Sequence, residues 1–208
     1  KTKDRTAIEV KDYIKSIAYM PVLVNDIAAV RAFLDRKNDE GTCSTSNILI
    51  VGAESGGTLG AIWANSEWNR YKMTPPTMFG KPPIVDKRAE GHDVIGMAFL
   101  TLQPTVGSRA FSVSSILKKA CFNQATAAVF FCGKEDTKMR DFAKTVEKTI
   151  KDKKNKKHDF IGVSELETNL AGVKLLKTGL DESIVKYFDN VVSERSNEWL
   201  RRDFQDTL

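Results

Sequence analysis

Ser55 stands in the segment Ala53-Glu54-Ser55-Gly56-Gly57, between an apolar run, "NILIVGA" (47–53), and a helical pattern, "GGTLGAIWANSEW" (56–68). A serine at a tight strand-to-helix turn is a candidate nucleophile. Its hydroxyl becomes one only if a base removes its proton, an acid orients that base, and N–H donors hold the developing oxyanion. The turn also needs small residues where the two backbones nearly touch. Ala53 and Gly57 supply them two positions before and after Ser55, and Gly60 extends the close approach. A glycine-rich turn of this kind also cradles phosphates, but the chain has neither a GxGxxG motif nor a Walker lysine.

The elements that must position this turn follow from apolar periodicity. "VNDIAAVRAFLDRKND" (24–39) places Val24, Ile27, Ala28, Val30, Ala32, Phe33 and Leu34 on a broad helical face. "DVIGMAFLTL" (93–102), "TAAVFFCG" (126–133) and the weaker "DFIGVSEL" (159–166) read as further strands. Between and after them, 112–123, 137–153 and 180–204 read as helices. In the helix after the turn, Trp63 is expected in the core and Trp68 over the mouth of the serine site. The stretch 69–91, with four prolines, reads as a surface or lid-like loop without regular structure. Residues 1–20 read as helix or loop. Buried strands alternating with helices predict one α/β domain over 1–208, a parallel sheet with helices on both faces.

These features resemble the nucleophile elbow and the C-terminal half of the α/β-hydrolase family. "AAVFFCGKEDTK" is similar to the later strand that leads to the acid of the triad, which the resemblance places at Asp136, with Glu135 next to it as the fallback. It assigns one oxyanion-hole N–H to Gly56, the residue after Ser55. It also implies that the early strands of the fold are missing here. The serine strand then has an unpaired edge, to be covered by a partner or by the rest of a longer chain.

The resemblance places the triad histidine after the last strand, in "ETNLAGVKLLKTG" (167–179), which has none. The two histidines, His92 and His158, both precede strands. A strand of six or seven residues at roughly 3.3 Å each puts them about 20 Å from the serine end, beyond the reach of a general base. Asp136 also precedes a helical pattern, where an aspartate caps the first turn. The expectation is therefore a hydrolase-like protein with an incomplete Ser-Asp-His triad, non-catalytic, that binds a small ligand or a protein partner. The alternative is a carboxylesterase-type serine hydrolase acting through Ser55 with a base supplied from elsewhere.

Composition narrows the remaining classes. The net charge is +5, with both signs interspersed except in "KDKKNKK" (151–157), a run that solvates a helix exit and lacks the interleaved aromatics of a nucleic-acid surface. Cys43, Cys121 and Cys132 have no metal-ligand spacing, and no cofactor motif is present. No apolar run approaches the roughly 18 residues of a membrane span. Nor does an apolar leader follow the basic start at Lys1, so a soluble chain is expected, either processed or part of a longer protein.

Overall fold

The computed structural model describes residues 19–73, 85–106, 109–124, 126–151 and 160–194. Helix α1 (Met20–Asp39) leads to strand β1 (Ile48–Ala53), which turns at once into α2 (Glu54–Glu67). A short antiparallel pair, β2 (Tyr71–Met73) and β3 (Val85–Ala89), follows, then a 3₁₀ turn (Glu90–Asp93) and β4 (Val94–Leu100). After the minor pair β5 (Thr105–Val106) and β6 (Arg109–Ala110) come α3 (Val113–Gln124), β7 (Ala127–Gly133), α4 (Thr137–Ile150) and β8 (Ile161–Leu166). A 3₁₀ segment (Gly172–Thr178) and α5 (Leu180–Ser193) complete the described chain.

The main sheet has the order β1-β4-β7-β8 and is parallel throughout. Its two central strands, β4 and β7, are buried at all seven positions, as expected for strands covered on both faces. Alternation divides their side chains. Met97, Phe99, Ala128 and Phe130 face α2, α3 and α4, with the Phe99 and Phe130 rings stacked at 5.2 Å. Ala98, Leu100, Val129 and Phe131 face Leu175, Leu180, Ile184 and Phe188 on the opposite side. The α/β class, the parallel sheet and the helices on both faces are therefore as the periodicity predicted. Strand β8 also forms as read from 159–166, in register with β7 from Ala128↔Ile161 to Gly133↔Leu166.

Among the described residues β1 pairs with β4 alone and is an edge strand. Ile48 and Ile50 pack into the core beneath α2, whereas Leu49 and Val51 are exposed at 36% and 52%. A six-residue edge without a charge or a proline has none of the usual protection against pairing.

Three expectations are corrected. The stretch 69–91 is not without regular structure, because its ends pair as β2 and β3, with Tyr71 opposite Ala89. Trp68 does not roof the serine end. It lies buried at the far end of α2, its ring 4.6 Å from His92 and tight against Gly91. The third correction concerns α1, on which only Val24, Ile27 and Ala28 of the expected apolar face pack against the core. Val30, Phe33 and Leu34 point outward, and Arg31, Asp35 and Asn38 are the buried residues of the helix.

A charge network occupies the inner face of α1. Arg31 Nε donates to both oxygens of Asp35, at 2.9 and 2.8 Å, and Nη2 donates to Asp93 Oδ2 at 2.8 Å, with Glu90 Oε2 3.8 Å away. Arg88 reaches the other Asp93 oxygen at 3.1 Å. Burial by itself lowers the guanidinium's affinity for its proton. The bonds to Asp35 and Asp93 more than offset this, and the pKa of Arg31 ends above its ordinary value. Arg31 thus ties α1 to the turn that launches β4. Replacing it with Met would strand buried carboxylates, and we expect a loss of about 3–5 kcal/mol of stability, read from urea unfolding of Arg31→Met against the parent.

Candidate functional site at the carboxyl ends of the strands

In a parallel sheet, helix N-termini and loops converge at the carboxyl ends of the strands, where ligands bind. Here β1 enters α2 without an intervening loop. The crossing point is Gly52 against Gly57: a Cβ on Gly52 would lie 2.5 Å from the Gly57 Cα. Only glycine permits that approach. The backbone reverses between them, and the residue that takes the left-handed conformation is Glu54, at φ 51°.

The tip of the elbow is therefore Glu54, not Ser55. Around Glu54, glycines stand at positions −2, +2 and +3 as Gly52, Gly56 and Gly57, a better fit to a tight elbow than the alanine that precedes Ser55 by two. Ser55 lies half-buried in the first turn of α2, and its hydroxyl has no hydrogen-bond partner among the described residues. The residue after the tip, which would offer the oxyanion N–H, becomes Ser55. Gly56 moves one place on and is exposed, with open space where a side chain would be.

Asp136 lies three residues past the end of β7, and its side chain accepts a hydrogen bond from the Met139 N–H at 3.1 Å as the N-cap of α4. Strands β1 and β7 are separated by β4, two strand spacings or about 10 Å. No hydrogen bond or ion pair joins Asp136 to Ser55 or Glu54 among the described residues. Glu135, the fallback acid, is exposed in the turn before it. His92 sits at the opposite, amino end of β4, a strand of seven residues, so about 23 Å of rise separates it from the elbow. His158 lies outside the described residues.

The loop after β8 comes directly to the elbow. Gly172, at φ 57°, lies so close that a Cβ there would be 2.8 Å from Glu54 Cδ and 3.0 Å from Oε1. Its N–H donates to Thr101 Oγ1 at 2.9 Å. Thr101, just past β4, is itself left-handed at φ 53°, and its N–H donates to Phe131 O of β7 at 2.8 Å. Gly133, at the end of β7, closes the cluster against the carbonyls of Thr168 and Leu170. Glu54, Thr101 and Gly172 thus place three left-handed residues in one small cluster. Two of them are not glycine, and each of those costs roughly 1–2 kcal/mol in backbone strain. Sequence reading missed Glu54 and Thr101. The spacing Gly52-x-Glu54-x-Gly56 was the available signal for Glu54, whereas nothing local marks a β-branched threonine for a positive φ.

Chemically, the elbow presents an exposed carboxylate with no ion-pair partner among the described residues, facing a loop that brings no base. No group of three or more metal-ligating side chains is present among the described residues, and no helix there is long and apolar enough to cross a membrane. Two free cysteines lie among the described residues: Cys43 is half-buried, and Cys132, on β7, is buried. Burial, helped by the Glu165 carboxylate, pushes its thiol up to about 11.

Cys132 should resist iodoacetamide in the folded protein at pH 8 and react once urea is added, as peptide mass mapping would show. Above the ordinary thiol range the unfolded chain releases a proton that the folded one retains, so this group lowers stability as the pH rises toward 11. Thermal unfolding should find Glu54→Gly more stable than the parent by about 1 kcal/mol and Gly172→Ala less stable by a similar amount. No family model, curated protein or solved structure matches this chain in the comparisons made with each.

Proposed function

We propose that this chain is an α/β-hydrolase-like module without hydrolytic chemistry, in which the elbow serves to bind rather than to attack. One observation carries the reading: Glu54, not a serine, occupies the strained tip, and its carboxyl group lies against Gly172 of the loop where a hydrolase keeps its base. A glycine at that point offers no proton acceptor. A larger residue there would have to displace the glutamate. The neighbouring Ser55 then has an ordinary, unactivated hydroxyl, because nothing in hydrogen-bond reach among the described residues takes its proton.

The order of elements supports the same reading. The elbow strand lies at the sheet edge, the next two strands are added in sequence, and the acid position falls after β7. At that position the aspartate caps a helix, a role that keeps it without catalysis. A carboxylate without an ion-pair partner among the described residues, at the carboxyl ends of the strands, favours a ligand that is cationic or rich in hydrogen-bond donors. The esterase reading, with Ser55 as nucleophile, requires a base that the described residues do not bring to it.

Incubation with a fluorophosphonate probe followed by intact-mass spectrometry separates the two readings. The expected result is an unmodified mass. A stoichiometric adduct, lost in Ser55→Ala, would replace this proposal with the hydrolase.

A further inference from the structure

Helix α1 carries apolar side chains on two faces: Val24, Ile27 and Ala28 pack on the core beside the charged network, and four others face away. Val30 is 58% exposed, Phe33 49%, Val22 43% and Leu34 36%. Isolated exposed apolar residues are ordinary, but four on one side of a single helix are a face that expects cover. The pattern along that face says by what. Asp26, Val30, Phe33 and Lys37 are spaced by four, three and four residues, and at about 100° per residue they fall within roughly 60° of arc, a single seam about 17 Å long. The seam has an acid at one end, a base at the other and two apolar residues between.

Such a seam is complementary to itself when reversed. Laid antiparallel against a copy, Val30 meets Phe33 of the second copy and Asp26 meets its Lys37, and the two-fold axis repeats both contacts. A parallel arrangement would set acid on acid and base on base. Lys37 lies over the Phe33 ring, 5.8 Å from its centre, and its ammonium also pairs with the exposed Glu40 one turn on, so Asp26 of a second copy would join a surface ion pair at the border of the apolar patch. Alternating four- and three-residue spacing is also the seam along which two helices pack side by side at a shallow crossing angle.

We propose that the outward face of α1 is a homodimer interface, in which the seam from Asp26 to Lys37 pairs antiparallel with the same seam of a second copy across a two-fold axis. Closed, isologous contacts of this kind are the commonest form of self-association. The face is small, so the dimer is weak, with a dissociation constant on the order of 1–100 μM. This inference does not depend on the elbow or on the function proposed for it.

Sedimentation equilibrium of the full 208-residue chain over a concentration series tests it. The parent should shift from monomer to dimer. Phe33→Glu should abolish the dimer, with circular dichroism and thermal unfolding unchanged to show that the fold is kept. Asp26→Lys alone and Lys37→Asp alone should each weaken the dimer about tenfold or more, since each sets like charges together twice. Mixing these two variants should restore association as a heterodimer, because every reversed charge then meets its opposite. A parent that stays monomeric well above 100 μM would overturn the proposal and leave the face to a different partner. A dimer indifferent to Phe33→Glu would overturn it too, pointing to the open edge of β1 instead. Failure of the mixed variants to associate more tightly than either alone would overturn the antiparallel register.

Discussion

The contact between Gly52 and Gly57 is the constraint on which the candidate site rests. Two backbones meet there with no room for a Cβ, and the chain must reverse in the four residues between. The reversal forces one residue into the left-handed region, and that residue is held at the carboxyl edge of the sheet whatever its chemistry. Glu54 occupies it. Ser55 and Gly56 take their places in the first turn of α2 from that tip. A displacement of one residue along a helix turns a side chain by about 100°, so Ser55 cannot do from its place what it would do from the neighbouring one.

Strain accumulates where the loops converge. Thr101 leaves β4 left-handed and uses its hydroxyl to hold the Gly172 N–H, and Gly172 makes room for Glu54. The left-handed conformations of Glu54 and Thr101 are costly alone and are sustained by the paired strands behind them. Phe131 O receives the Thr101 N–H, and β7 is buried on both faces. A cluster that a fold keeps against its own backbone preferences is a reasonable place to look for binding. The opposite end of the sheet holds no such cluster among the described residues. There, His92 packs on Trp68, and Arg31 binds the acids that start β4.

The Arg31 network also decides which way α1 faces. Apolar residues cover more than half of that helix's circumference, so hydrophobic burial alone leaves two orientations of similar merit. A buried guanidinium with two carboxylate partners breaks the tie, because turning the helix over would expose Arg31 and Asp35 and leave the buried Asp93 with the partly exposed Arg88 in place of its buried cation. The consequence is an outward face whose apolar residues and end charges complement a second copy of themselves.

Much of the architecture was legible in the sequence. Continuous apolar runs at 47–53, 93–102 and 126–133, and the weaker run at 159–166, marked four strands, and helical periodicity between them implied a parallel sheet, because strand and helix periods are properties of the local chain. The absence of a histidine from 167–179 was equally plain. What the sequence could not decide was which residue of Gly52-Ala53-Glu54-Ser55-Gly56-Gly57 stands at the tip, because that depends on which glycines touch across the strand–helix crossing. It also could not assign the inner face of α1, since Asp93, the partner that holds Arg31, lies 62 residues away. Both questions turn on contacts between segments distant in the chain or packed at van der Waals distance, and only the tertiary structure answers them.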